Sequence, residues 1–169
     1  MPSTSTLMKG GAFLLQPTAS DDIFTSEEFS EEQQMVKDMV MDFINNRIAP
    51  NFEQLEKMDN ALSKQLLHEM GTLGITGISF PEAYGGSNMD FITHTFLSEL
   101  MAHARSMSVS FSAHTGIGML PILYFGTEAQ KEQYLPDLVA GTKAAAYCLT
   151  EPGSGSDALA AKTSAVLSE

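Results

Sequence analysis

The residue types best suited to chemistry in this 169-residue chain cluster in one run, CLTEPGSGSD, residues 148–157. Thr150, Ser154, Ser156 and Asp157 follow one another closely, interleaved with Gly153 and Gly155. Hydroxyls beside glycines suit a ligand that the backbone must approach closely, because glycine has no Cβ to hold it off. From Gly153 to Ala158 the run also has the form G-x-G-x-x-A after an apolar stretch, the outline of a dinucleotide fingerprint. Two features oppose that reading. Glu151-Pro152 separates the apolar stretch from the first glycine, where a tight strand-to-helix turn is needed, and no βαβ unit flanks the run. A plain turn is the simpler account of the spacing.

The other candidates carry less. The four histidines are His68, His94, His103 and His114, and no two stand four residues apart as ligands on one helix face would. With a single cysteine, Cys148, neither a disulfide framework nor a cysteine-rich zinc site is expected, and no metal. His114 stands out because small residues surround it. The carboxylates Glu27, Glu28, Glu31 and Glu32 read as the acidic start of a helix, not as catalysts. The eleven methionines read as core filler or as the lining of an acyl-chain pocket.

These groups need elements to position them, and the hydrophobic spacing supplies five helices. Ser30, with Gln33 three residues on, caps a helix on Met35, Val36, Met39, Val40, Phe43, Ile44 and Ile48, kinked or split at Pro50. A second helix spans about 61–73 on Leu62, Leu66, Leu67 and Met70, closed by Gly71 and Gly74. A loop follows at ITGISFPEAYGG. The third helix, about 90–103, turns Phe91, Ile92, Phe96, Leu97, Leu100 and Met101 inward. The fourth, about 108–125, is apolar nearly all round and rich in small residues, which predicts burial. Thr127 and Gln130 cap the fifth, with Tyr134, Leu135, Leu138 and Val139 as its apolar stripe and Gly141 at its end. AAAYCLT reads as a short strand whose partners lie outside the chain, since a lone strand leaves its backbone groups unpaired. The expected core includes Met39, Phe43, Leu66, Leu97, Leu100, Ile117, Leu120, Leu123 and Leu138.

Composition limits the function classes. Nine basic against 21 acidic residues give a net charge of −12, and the basic residues are scattered, which disfavours nucleic acid. At 43% hydrophobic residues the chain can bury a core, and no apolar run reaches the roughly 20 residues of a membrane-spanning helix. The first 25 residues are Ser/Thr-rich with Lys9 as their one basic residue, unlike an arginine-rich presequence. This favours a bacterial cytoplasmic location over the mitochondrial matrix, with association at a membrane surface left open.

The run from Tyr124 to Ala165 resembles the acyl-CoA dehydrogenase family. Members carry G-T/N-x-x-Q-K-x-x-Y-L, a spacer, and then Y/F-C-x-T-E-P-x-x-G-S-D; here these are GTEAQKEQYL and YCLTEPGSGSD. FPEAYGG and FSEEQQMVKDMVMDFINNRIAP fit as well, and KGGAFLLQP with SAHTGIG resembles the long- and very-long-chain branch. The resemblance implies an all-α N-terminal helical domain, residues 26–142, after a flexible tail, residues 1–25. Residues 143–169 would then open a truncated middle β-domain with its first strand.

It further implies FAD as cofactor. Thr150 would hydrogen-bond the flavin ring, with Tyr147 and Leu149 alongside and Gly155 and Ser156 approaching cofactor and substrate. Ser156, Ala113 and Gly116 would meet the fatty acyl-CoA, the last two as walls of an acyl tunnel; close helix packing is the competing account of those small residues. The family's catalytic glutamate lies in a C-terminal bundle that this chain does not include, so no catalytic residue is expected here and the chain alone is expected to be inactive. An acceptor of the electrons and a homo-oligomeric parent protein are implied too. An acyl-CoA oxidase-like enzyme and a non-enzymatic helical interaction domain are the alternatives.

Overall fold

A computed structural model describes residues 10–166, which form two compact units, one up to Met39 and one from Val40 onward. Of the expected tail, residues 1–9 lie outside the described residues. The rest of the first unit is a chain of short turns, Ala12–Leu14, Ser20–Asp22 and Ser26–Glu28, followed by the start of helix α1, Glu31–Phe43. The predicted capping box is present. The Gln33 N–H donates to Ser30 Oγ at 3.2 Å, and the Ser30 N–H donates to Gln33 Oε1 at 2.9 Å.

The second unit holds the remaining helices. Beyond α1 the backbone widens into a π turn, Ile44–Ile48, and tightens into a 3-10 turn, Ala49–Asn51, before the short α2, Phe52–Glu56. Proline explains both changes. Pro50 has no N–H, and its ring presses on the carbonyl four residues back, so the ladder must open upstream of it. Asn51 Nδ2 donates to the Arg47 carbonyl at 2.7 Å, satisfying a backbone acceptor in this irregular stretch. Helix α3, Asn60–Thr72, starts on the Asp59 carboxylate and buries Leu66, Leu67 and Met70. Gly71, expected near its end, lies inside it.

Helix α4, Phe91–Met101, starts on Asp90, whose Oδ1 accepts the Thr93 N–H at 2.8 Å. Its buried face is Thr93, Phe96, Leu97, Leu100 and Met101. Phe91 and Ile92, expected inward, are 80% and 41% exposed. At 100° per residue they stand roughly 120° and 140° from Leu97, off the buried stripe.

The expected fourth helix is three pieces: α5, Ser106–Ser112, a π turn, Ala113–Gly118, and α6, Leu120–Phe125. Pro121 repeats what Pro50 does, with a π turn immediately upstream. Met107, Phe111, His114, Thr115 and Met119 are buried. Val109, Ile117, Tyr124 and Phe125 are exposed, so this stretch has an outer face and is not buried all round. Ile117, at 54% exposure, is not a core residue. It sits two positions from Thr115, roughly 200° around the axis.

Helix α7, Glu128–Val139, has the predicted Thr127–Gln130 capping box and ends at Gly141, whose φ of 65° is left-handed. Phe80, Met119, Leu135, Leu138 and Val139 form a buried cluster, with Leu120, Leu123 and Ala145 packed at its edge. Phe43, Leu66, Leu97, Leu100 and Leu138 are buried as expected, while Met39, Leu120 and Leu123 are half-buried.

No strand occurs among the described residues. The stretch 144–149, read as a strand, runs without a ladder, because no other segment here offers it backbone partners. Residues 143–166 belong to the same compact unit as the helices.

Candidate functional site

Three neighbouring elements bring the site residues together: the Ala113–Gly118 π turn, the end of α7, and the segment that follows Gly141. His114, 1% exposed, links them. Its Nε2 lies 2.9 Å from the Leu138 carbonyl, and its Nδ1 lies 2.9 Å from the Ala145 nitrogen. A carbonyl can only accept and an amide N–H can only donate, so Nε2 carries the proton and Nδ1 is bare. Burial pushes the imidazole pKa below its ordinary value, and the bond to Leu138 only partly offsets this. The ring is therefore neutral at neutral pH.

Beside it, Ala144–Ala146 run along a cleft of about 400 Å³. Lys64 and Leu67 of α3, Met107 and Ser110 of α5, and Ala113 line its other side. Gly118 allows the segment to come this close: a Cβ there would stand 2.6 Å from the Ala145 Cβ. Gly116 differs, since a Cβ on it would meet nothing within 4 Å. The two glycines thus answer differently to the choice between close packing and open space. Gly118 is a packing glycine; Gly116 is not.

Ala145 is half-buried, and from Ala146 to Thr150 the chain is exposed. Tyr147 and Leu149 are 53% and 42% exposed, and Cys148 and Thr150 are exposed. The chain then folds back in a two-residue turn at Pro152-Gly153. The Glu151 N–H donates to the Ser154 carbonyl at 2.9 Å, and the Ser154 N–H donates back at 3.1 Å. That reciprocal pair sets Thr150 and Gly155 side by side as they leave the turn. Gly155 and Ser156 are exposed, and no atom lies within 4 Å of where a Gly155 Cβ would be.

The polar groups of the run divide into two sets. Ser154 is buried and its hydroxyl donates to the Asp157 carbonyl at 2.8 Å. Glu151 accepts the Lys162 N–H at 2.7 Å and the Thr163 N–H at 2.9 Å, and these bonds hold its carboxyl below the usual carboxylate range. These two residues hold the turn itself. The hydroxyls of Tyr147, Thr150 and Ser156 have no hydrogen-bond partner among the described residues and face outward. After the turn comes only a three-residue 3-10 turn, Ala158–Ala160, so no helix N-terminus is offered to a pyrophosphate as a dinucleotide site requires.

Of the predicted residues, Tyr147, Leu149, Thr150, Gly155 and Ser156 are thus gathered on one exposed hairpin. Ala113 looks into the cleft beside its base, and Gly116 is one turn further along. Sequence reasoning gave Glu151 no role, because the N–H groups it holds lie 11 and 12 residues further along the chain. It marked out His114 without finding its two partners, which are 24 and 31 residues away. Among the described residues no group of three or more His, Cys, Asp or Glu side chains could hold a metal ion. No described helix is long and apolar enough to cross a membrane.

This arrangement, a compact helical array ending in an exposed hydroxyl-bearing hairpin, has close counterparts. The model of the acyl-CoA dehydrogenase N-terminal domain matches residues 30–142. A solved acyl-CoA dehydrogenase complexed with FAD from Bacillus anthracis superposes with a TM-score of 0.84 at 46% identity, over 92% of this chain and 27% of that one. A probable acyl-CoA dehydrogenase of Bacillus subtilis (strain 168) is 45% identical over 163 residues, 96% of this chain and 27% of that protein. The mitochondrial short-chain specific acyl-CoA dehydrogenase of Sus scrofa is 33% identical over 144 residues, 85% of this chain and 35% of that protein. The chain belongs to the acyl-CoA dehydrogenase family and has the fold of that family's N-terminal domain. It spans between about a quarter and a third of the length of these relatives.

Proposed function

We propose that this chain serves as the N-terminal helical domain of an FAD-dependent dehydrogenase that oxidises a fatty acyl-CoA to the trans-2-enoyl-CoA. The observation that carries the reading is the division of polar groups in the hairpin: Ser154 and Glu151 satisfy the turn, while Tyr147, Thr150 and Ser156 present free hydroxyls outward. Those residues fit a flavin. Its pyrimidine edge offers acceptors and a donor, which the Thr150 hydroxyl and nearby backbone can meet. The open side of Gly155 lets the backbone approach a flat ring. A flavin held there would supply the acceptor for the hydride lost from the substrate β-carbon.

This chain's residues bind and orient. Thr150 would hold the ring edge with Tyr147 and Leu149 alongside, and Ser156 and Gly155 would meet cofactor and acyl-CoA. Ala113 and Gly116 bound the acyl chain, a reading the open space at Gly116 supports. The α-proton would be taken by a glutamate that the family carries outside this span, so the 169 residues alone do not turn over; the hairpin would cover only one wall of the flavin, so they do not hold FAD stoichiometrically either. A long-chain substrate, a separate electron acceptor, a homo-oligomeric assembly and the bacterial cytoplasm complete the proposal.

The test is Thr150→Val in the flavin-loaded protein. Losing the hydroxyl leaves a flavin acceptor unpaired, which weakens retention by roughly 1–3 kcal/mol, and Thr150→Ser restores it. Unchanged flavin affinity and spectrum in the valine variant would remove Thr150 from the cofactor site.

A further inference from the structure

We propose that His114 is a positioning residue for the hairpin that carries Tyr147 and Thr150, acting through a fixed tautomer. Nε2–H is committed to the Leu138 carbonyl, and this leaves Nδ1 bare to accept the Ala145 N–H. The inference rests on the reading that Tyr147 and Thr150 face a flavin; the clamp on Ala145 is a separate matter.

Three observations support it. First, the ring is 1% exposed and both nitrogens are engaged, each at 2.9 Å. Reversing the tautomer would set Nδ1–H against the Ala145 N–H and bare Nε2 against a carbonyl, two repulsions at once. Second, the stakes at the two ends differ. The Leu138 carbonyl also accepts the Gly141 N–H at 3.0 Å, so it keeps a partner without His114. Among the described residues the Ala145 N–H has no other acceptor, so its tie depends on the imidazole. Third, Ala145 is where the segment is seated. Its side chain packs at the edge of the Phe80–Met119–Leu135 cluster and against Gly118, and two residues later the chain is already exposed at Tyr147. Among the described residues no other hydrogen bond ties 144–149 to the helices, so the His114 bond sets where this segment leaves the core.

The two amide-bearing replacements separate the ends of the ring. Asparagine places its oxygen near the position of Nδ1, and glutamine places its nitrogen near that of Nε2. His114→Asn should therefore keep the Ala145 bond, whereas His114→Gln keeps only the Leu138 bond. The experiment uses the 169-residue chain and reads amide hydrogen exchange at Ala145, with Leu66 and Leu97 as core controls, together with the imidazole ¹⁵N signals of the wild type. We expect a protonated Nε2 and a bare Nδ1. Exchange at Ala145 should rise about tenfold in His114→Gln and stay near wild type in His114→Asn, with the core amides unchanged.

Equal protection of Ala145 in wild type and His114→Gln would overturn the proposal, as would a protonated Nδ1. Should the glutamine variant fail to fold, the wild-type tautomer and the asparagine variant decide alone. In the flavin-loaded protein His114→Gln should shift the flavin spectrum and His114→Asn should not. An intact clamp with no spectral change from either His114→Gln or Thr150→Val would locate the error in the flavin reading and leave the clamp standing.

Discussion

Gly118→Ala sets the packing of the 143–150 segment against helix propensity, and the structure gives both sides of the balance. The new Cβ would lie 2.6 Å from the Ala145 Cβ, 2.8 Å from the Ala113 carbonyl oxygen and 3.1 Å from the Ala145 carbonyl carbon. Two of those neighbours are backbone atoms and the third is a methyl group fixed to backbone, so none can swing aside. Overpacking of this kind costs roughly 1–3 kcal/mol. Replacing glycine by alanine in a helical stretch returns up to about 1 kcal/mol. The net expectation is a loss of about 1–2 kcal/mol, or a melting temperature lower by roughly 2–8 °C for a chain of this length.

Gly116→Ala is the internal control. Its Cβ meets nothing within 4 Å and its φ is not left-handed, so only the propensity gain of about 0.4–1 kcal/mol remains. Thermal unfolding of both variants by circular dichroism is the assay. Adding Ala145→Gly to Gly118→Ala should recover at least half of the lost stability by removing one of the colliding methyl groups. A Gly118→Ala variant as stable as wild type, or a double variant no better than the single one, would show that the close approach is not what glycine serves here.

Three further outcomes are expected. The Glu151 carboxyl is held below its ordinary value by the Lys162 and Thr163 N–H groups, so the tie it makes is fully present above the unfolded-state pKa and is lost as pH falls through the lower folded-state pKa. Hydrogen exchange at Lys162 and Thr163, corrected for its intrinsic pH dependence, should lose protection on acidification, and in Glu151→Gln should be weakened already at neutral pH; protection indifferent to both would contradict the capping role. In the active protein, Ala113→Gln should lower kcat/KM for long acyl-CoA substrates about tenfold or more while short ones are spared, and equal losses at every chain length would point to disrupted packing instead. The 169-residue chain, mixed with excess FAD and passed through gel filtration, should keep far less than one flavin per chain and should not reduce an artificial acceptor with acyl-CoA; stoichiometric flavin would mean that the hairpin binds it unaided.

Much of this was legible because it is local. A cap is written in residues three apart, so Ser30–Gln33 and Thr127–Gln130 declare the starts of α1 and α7 without reference to any other part of the chain. Burial at a period of 3.6 gave Leu66, Leu97 and Leu138, and the ordered motifs from Tyr124 to Ala165 gave the family. The two proline breaks are local too: Pro50 marks a kink or split in the first helix, and Pro121 divides the fourth by the same rule.

The remainder depends on partners that sequence spacing does not reveal. Whether Phe91 or Thr93 faces inward is a question of helix phase, and phase is set by what the helix packs against. Residues 144–149 have the composition of a strand, but a strand exists only where another backbone completes its ladder, and within the described residues none does. The sequence by itself determined where most helices lie, the caps at Ser30 and Thr127 and the presence of a hydroxyl-rich turn, because hydrogen bonds and steric rules act over three or four residues. Only the tertiary structure decided which hydroxyls stay free, which glycine is a packing contact, and that His114 joins Leu138 to Ala145, because each of these depends on atoms that folding brings together from distant parts of the chain.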